Sequence, residues 1–524
     1  AQAKSARLAA AMASAPFEPP SRDMAASADT SYRRTLRFVV SVAAELAVPK
    51  KALRGGHTIG AGYFYSFAGE SAIVSSEELQ TIKGKVDELV AAGEKIAAVS
   101  KPWAEALAYF KERGLSCAQA LLETRVSGEV PCYECKGVLR LALHPLADST
   151  ASLKTGGPGY ELKLCEPGFV AMYSPGAEVQ SALLGSVLQH VSFAAMPESM
   201  RGDYVGSVGA LNRLQQVGRP RRDFVLGCEF KQEGELASIA RMVQDRQKEE
   251  RAVKIICIAG PTSSGKTTFA NKLCMYLQNC GYVAKPLTVD HYYLPLDRQP
   301  KYQLRQQRSD VDYDHIESMD VELVGQHLNA LAKGEAVETP VYDMKTGYRA
   351  PKGHHIDALP ANGILVIEGI HALNPLYTQA VDPNKVFKVF ISPRTALQLD
   401  DCNCVKTTDH RLLRRMCRDY LFRANSASVT LRMWDNVRKG EGVWIFPHQN
   451  GADFVMNSAA EYEIPVLKVF LEPLLRAVTP EDPNYAKAAE LVKLLDHFGT
   501  WPPHLTPGAA LLREFIGEGS FDCH

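Results

Sequence analysis

The sequence predicts an α/β protein: an open, doubly wound parallel sheet around a P-loop, preceded by a smaller α+β region. Two observations carry this. The stretch "IICIAGPTSSGKTTFANKL", residues 255 to 273, is an apolar run, then a Gly/Ser/Thr loop around one lysine, then an amphipathic run. Downstream of it, short apolar runs alternate with helical patterns, the mark of a parallel sheet covered on both faces.

Ile255, Ile256, Cys257 and Ile258 are apolar and partly β-branched, as a buried parallel strand requires. From Thr267 the spacing of Phe269, Leu273 and Leu277 is helical. Gly260 and Gly265 frame the turn, and Lys266-Thr267 follows, giving G-x-x-x-x-G-K-S/T between strand and helix. The loop Gly260, Pro261, Thr262, Ser263, Ser264, Gly265, Lys266, Thr267 and Thr268 is therefore the expected phosphate cradle, with ATP and Mg²⁺ the expected cofactors. Glycines let backbone N–H groups turn inward, and the helix adds its positive end. Lys266 is placed to reach the β- and γ-phosphates and the Thr267 hydroxyl to ligate Mg²⁺.

After the loop, "YVAKPLTVD" ends in a strand, "DVELVGQHLNALAKG" reads as a helix, and "GILVIEG" and "VFKVFIS" as further buried strands. "DHRLLRRMCRDYLFR" is a basic helix. Ahead of it, "EGELASIARMVQDRQKEERAVK" is a charged amphipathic helix, and the basic stretch "VGRPRRD" near residues 217 to 223 reads as a domain boundary. Residues 32–222 mix helical patterns such as "EELQTIKGKVDELVAAG" with strand-like pieces and Gly/Pro turns around "KTGGPGYELKLCEPG". Three regions are expected: a tail at 1–31, an α+β region at 32–222, and a P-loop domain with a C-terminal extension at 223–524.

Lys+Arg and Asp+Glu both total 59 in the 524 residues, which argues against a generally cationic nucleic-acid binder. Twelve cysteines show no disulfide-framework spacing. Cys257 and Cys274 fall at core positions of the P-loop strand and helix, and Cys132 and Cys135 form a C-x-x-C without a second pair, so a reducing compartment is inferred. No apolar run reaches membrane-spanning length. The Ala/Ser-rich start, "AQAKSARLAAAMASAPFEPPSRD", reads as a disordered tail in a cytoplasmic protein. The alternative is a transit-peptide remnant in a plastid or mitochondrion.

Transfer of phosphate to a small molecule needs a carboxylate at the acceptor hydroxyl and cations over the moving phosphoryl group. Carboxylates follow the predicted strands: Asp290 ends "PLTVD", Glu368 ends "ILVIEG", and "DVDYDHIESMD" adds Asp312 and Asp314. "TPVYDMKTGYR" offers Tyr342, Asp343 and Arg349. The pieces GPTSSGKTT, LTVDHYY, DYDHIESMD, TPVYDMKTGYR, ILVIEGIHAL and RLLRRMCRD, in this order, resemble the uridine kinase branch of the uridine kinase and phosphoribulokinase family over residues 254 to about 470. The resemblance implies phosphorylation of a nucleoside 5′-hydroxyl, with Asp290 as general base, Asp314 on the ribose, Tyr342 on the base and Glu368 at the metal. Arg415 and Arg418 would neutralise phosphate charge, with Arg423 in the lid.

Two positions depart from that pattern. Uridine kinases place a base-reading histidine five residues after the tyrosine, where this chain has Gly347, a change expected to leave the volume of an imidazole empty. In the lid, Asn425 replaces a second arginine. Kinase chemistry is thus expected with broadened or shifted acceptor use. The alternatives are a kinase of a sugar phosphate, using Arg305 and Arg308, and a non-catalytic nucleotide-binding protein of a larger assembly or of RNA.

Further upstream, "RGGHTIGAGYFYSF" and "LHPLADSTASLKTGGPGYELKLCEPGFVAMY" resemble the editing-type domain of threonyl-tRNA synthetases. Of that domain's four site residues His57 remains, while Ala61, Ala142 and Leu146 stand at the others and His144 is out of register. The resemblance therefore implies a binding or structural role, with a homo-oligomer or assembly partner reached through this half.

Overall fold

The computed structural model describes residues 24–59, 61–68, 73–125, 128–176, 205–214, 218–248, 252–299, 314–343, 346–394 and 397–523. They divide into two compact units, the first drawn from residues 1–54, 60–106 and 127–179, the second from 55–59, 107–126 and 180–524. Residues 55–59, 107–126 and 180–222 thus cluster with the P-loop unit.

The first unit is α+β. A helix runs Met24–Ala47, so regular structure begins before Tyr32. Antiparallel strands Gly62–Phe67, Gly168–Met172 and Glu161–Cys165 pair in that order, and a second sheet joins Ala97–Pro102, Glu129–Cys135 and Val138–Leu141. The predicted helix "EELQTIKGKVDELVAAG" spans Ser76–Ala92, opened by a capping box of Ser75 with Glu78 and closed by Gly93 at φ 65°. Leu36, Val39, Tyr65, Ile82, Val86 and Phe169 form its core. Cys132 and Cys135 lie on one strand at an offset of three, hence on opposite faces. His57 lies in the strand Leu53–Ile59, with its side chain outside the described residues.

The second unit holds a five-stranded sheet: β1 Ile255–Ala259, β2 Val283–Thr288, β3 Gly363–Glu368, β4 Val386–Ser392 and β5 Phe454–Asn457. Their order is β5-β4-β1-β3-β2, and every pairing is parallel. Alternate residues feed two cores. Ile255, Cys257, Leu365 and Ile367 pack with Val324 and Leu328 on one face. Ile256, Ile258, Ile364 and Val366 pack with Leu236, Phe269 and Leu273 on the other. Burial on both faces is why these strands read as unbroken apolar runs. Burial also pushes the Cys257 and Cys274 thiols up to about 12, so both stay protonated core groups.

The helices that matter here are α1 Gly218–Lys248, α2 Lys266–Asn279, α3 Val321–Ala332, α4 Thr407–Arg423, α5 Ala427–Trp444, α6 Glu463–Arg476 and the single turn α7 Arg513–Ile516. Most of "VGRPRRD" is the start of α1. Pro220 falls in its first turn, where a missing N–H costs nothing. No described helix is long and apolar enough to cross a membrane.

Candidate functional site

β1 ends at Ala259 and the chain turns at Gly260, where a Cβ would stand 2.0 Å from the Ile391 carbonyl oxygen of β4. Only glycine fits so close to a neighbouring strand. Ser263 at φ 60° and Gly265 at φ 88° are left-handed, the kind of backbone that lets successive N–H groups form an anion-binding concavity. α2 then starts at Lys266, whose ammonium donates to the carbonyls of Gly260 (3.1 Å) and Pro261 (3.3 Å).

The loop is braced from outside by buried ion pairs on α4. Arg411 pairs through both terminal nitrogens with Glu441 and donates to the Thr262 carbonyl at 3.1 Å. Glu441 in turn accepts the Thr262 N–H at 3.2 Å. Arg414 grips Glu463 at 2.6 and 2.7 Å and donates to the Ser263 carbonyl at 3.3 Å. Arg415 reaches the Thr262 hydroxyl at 3.2 Å. A basic helix packed against a loop of peptide dipoles thereby fixes the shape of residues 262 and 263.

At the strand ends, the Thr267 hydroxyl donates to Glu368 at 3.3 Å. Burial pushes the Glu368 carboxyl up to about 7, the Asp290 carboxylate adds to the rise, and Lys266 opposes it. Asp290 is the second residue of the turn Val289–Tyr292 after β2, its N–H donating to the Thr288 hydroxyl oxygen at 3.3 Å. β3 leaves through Gly369, where a Cβ would meet Val289 Cγ2 at 1.9 Å and Asp290 Oδ1 at 3.8 Å. Asp290 and Glu368 therefore stand side by side at the carboxyl rim of the sheet, beside the P-loop lysine.

Beyond Asp290, burial raises the Tyr293 phenol far above its ordinary value, and the nearby charges of Asp290 and then Asp314 add to it. The Tyr342 ring lies 5.4 Å from that of Tyr293. Its hydroxyl accepts from the Gln299 amide at 3.2 Å, and its N–H donates to His291 Nδ1 at 3.4 Å. Arg349 ties the wall together, donating to the Tyr293 carbonyl at 3.0 Å and to Asp320 at 3.0 Å.

Gly347 adopts φ +79°, and a Cβ there would stand 3.2 Å from Leu296 Cβ and Cδ2. This corrects the expectation of a vacant imidazole-sized space. Leu296 occupies it, tied by its N–H to the Gly347 carbonyl at 2.9 Å, and the left-handed backbone favours glycine.

Arg415, Arg418 and Arg423 all turn to Asp419, at 3.2, 3.6 and 3.3 Å. Arg418 is buried, and desolvation pulls its guanidinium down to about 10. Arg423 is the last residue of α4 and half exposed. The expected lid at "FRANSAS" is a tight turn between helices: Ala424 at φ 52° ends α4, and Ser426 caps α5 by accepting the Val429 N–H. Asp312, Arg305 and Arg308 lie outside the described residues.

Sequence reasoning missed Asp419, Glu441, Glu463 and also Glu514, which accepts from the Thr268 N–H and hydroxyl at 3.2 and 3.0 Å. One signal was present. Arg411, Arg414, Arg415 and Arg418 share a face of one helix, and a buried cationic face demands acids opposite it. The pattern does not say which acids.

Residues 255–465 match the Phosphoribulokinase / Uridine kinase family. Uridine kinases of Staphylococcus aureus strains JH9 and Newman are each 29% identical over 217 residues, 41% of this chain and 93% of theirs. Among solved structures, a protein described as a possible uridine kinase from Bacillus stearothermophilus aligns at 16% identity and TM-score 0.26, over 41% of this chain and all of its own. D-glycerate 3-kinase from Cryptococcus neoformans aligns at 14% identity and TM-score 0.25, over 50% of this chain and 87% of its own.

Proposed function

We propose that the chain is an ATP-dependent small-molecule kinase acting on an alcohol, with the 5′-hydroxyl of a nucleoside as acceptor. The observation that carries this is the pair Asp290 and Glu368 at the strand ends, beside Lys266 and Thr267. A nucleotide hydrolase needs only to orient water. Here a second carboxylate stands one strand away from the metal-side acid, facing a wall of Tyr293, Tyr342 and Arg349.

In this reading Asp290 accepts the proton of the acceptor hydroxyl as it attacks. Lys266 exchanges its loop carbonyls for the β/γ-phosphate oxygens, and Arg415 and Arg418 offset charge on the moving phosphoryl group. Asp314 and Tyr342 hold the acceptor. Among the described residues no cluster of three or more His, Cys, Asp or Glu is arranged to cage a metal. Mg²⁺ needs no such cage, since it is held by one or two carboxylates together with substrate phosphates. Thr267 and Glu368 supply hard oxygen donors for it, and Mg²⁺ bound there would spread the phosphate charge.

The uridine kinases that resemble this chain support a nucleoside acceptor, and the left-handed Gly347 supports a base pocket built differently from the one their pattern implies. The test is kcat/KM with Mg-ATP for uridine, cytidine, adenosine and guanosine. Turnover of at least one supports the reading. Mg-ATP binding without turnover of any nucleoside removes the nucleoside acceptor.

A further inference from the structure

The first amides of α2 are the natural seat of nucleotide phosphate. Lys266, Thr267 and Thr268 lie ahead of the first intrahelical bond, which runs from Phe269 N–H to the Gly265 carbonyl at 3.1 Å. One of these donors is already taken by an anion. Glu514 accepts the Thr268 N–H at 3.2 Å and the Thr268 hydroxyl at 3.0 Å, both through Oε2. It is 8% exposed, and its charge also faces Glu368 and Arg418, the two sides of the phosphoryl site.

Glu514 comes from α7, beyond residues 255–465 that match the family. Its segment is seated on the loop. Leu511 lies 3.8 Å from where a Gly265 Cβ would stand, and Cys523 Sγ lies 3.4 Å from the Thr268 hydroxyl. Arg513 pins the turn by donating to the carbonyls of Thr506 at 2.6 Å and Gly517 at 3.2 Å. A cavity of about 430 Å³ opens beside it, lined by Phe422, Arg513, Glu514 and residues 517–523.

We propose that Glu514 is a built-in competitor for nucleotide phosphate: its carboxylate holds the Thr268 amide and hydroxyl, and nucleotide seats fully only when it leaves. A carboxylate and a phosphate oxygen cannot share that amide, and their like charges repel in a partly dehydrated site. The neighbouring cavity gives the displaced carboxylate somewhere to go. The segment around α7 thus sets nucleotide affinity. This rests on the P-loop being the nucleotide site.

The test is calorimetric titration of the full chain with Mg-ATP, Mg-ADP and adenosine, for wild type, Glu514→Gln, Glu514→Ala and Lys266→Ala. Both Glu514 variants are expected to bind Mg-ATP and Mg-ADP about tenfold or more tightly, since displacing hydrogen bonds to a charged group no longer opposes binding. Adenosine affinity should not move. Unchanged or weaker nucleotide binding by the folded variants overturns the proposal and leaves Glu514 a structural cap. Hydrogen exchange on wild type is the second measurement, independent of any variant's folding. Saturating Mg-ATP should deprotect the amides of residues 511–523, and equal or greater protection overturns the proposal. If wild type and Lys266→Ala bind Mg-ATP alike, the nucleotide-site reading itself has failed and this inference falls with it.

Discussion

Replacing Glu463 with glutamine tests whether the buried ion pairs behind the P-loop hold it in shape. Glu463 is 1% exposed and takes Arg414 at 2.6 and 2.7 Å, His410 at 2.8 Å and the Ala460 N–H at 2.9 Å. Burial alone would raise its carboxyl, but the Arg414 guanidinium, helped by His410, outweighs burial and holds it at about 2. Burial lowers the His410 imidazole itself, so Arg414 carries the charge pairing near neutral pH and His410 acts through its hydrogen bond. Against an unfolded value of about 4.5, that shift corresponds to about 3 kcal/mol of stability near neutral pH. Glutamine keeps the shape and removes the charge, leaving Arg414 buried beside a neutral group. Breaking such a pair costs about 3–5 kcal/mol. Urea unfolding at pH 7 should therefore show Glu463→Gln less stable by about that amount. Because the folded pKa is depressed, the advantage of wild type is complete above about pH 4.5 and lost as pH falls through about 2. KM for ATP should also rise, since Arg414 donates to the Ser263 carbonyl of the loop. A difference below about 1 kcal/mol at pH 7, or a gap unchanged at pH 2, would show that the Glu463–Arg414 pair does not hold the loop.

Lys266→Ala should lower phosphoryl transfer by about 3–4 kcal/mol of transition-state stabilisation, read as kcat/KM for ATP; turnover like wild type would remove the P-loop from the chemistry. Gly260→Ala should lower Tm and abolish nucleotide binding, because its methyl group would sit 2.0 Å from the Ile391 carbonyl, and an unshifted melt contradicts this. Gly347→His should melt earlier by about 1–2 kcal/mol without restoring pyrimidine preference, given the left-handed backbone and Leu296 at 3.2 Å. An unaltered Tm with a new preference for uridine and cytidine would show that the backbone and Leu296 yield.

The sheet of the second unit was legible because its central strands β1, β3 and β4 are buried on both faces and its loop follows a fixed spacing. Asp290 and Glu368 were legible for a related reason: each ends an apolar run, and strand ends in an open parallel sheet share one rim. Glu441, Glu463 and Glu514 were not. Each meets the P-loop or its brace from a distant and locally unremarkable stretch, and "GEGVW" or "LLREFIG" looks like any surface acid in a helix. The helical character of "VGRPRRD" was not legible, because its proline and cluster of arginines are not the usual opening of a helix, although proline fits a first turn. Gly347 misled in a different way. Its missing side chain was legible, but the backbone angle that makes the glycine necessary was not.

Asp290→Asn tests most directly whether Asp290 is the base of a phosphoryl transfer. The amide still hydrogen-bonds the acceptor hydroxyl but cannot take its proton. Mg-ATP affinity, measured by titration, should stay near wild type, while kcat on the acceptor found among the nucleosides should fall by about 10²–10⁴-fold. An unchanged kcat would contradict the account and return the base to Asp312 or Asp314.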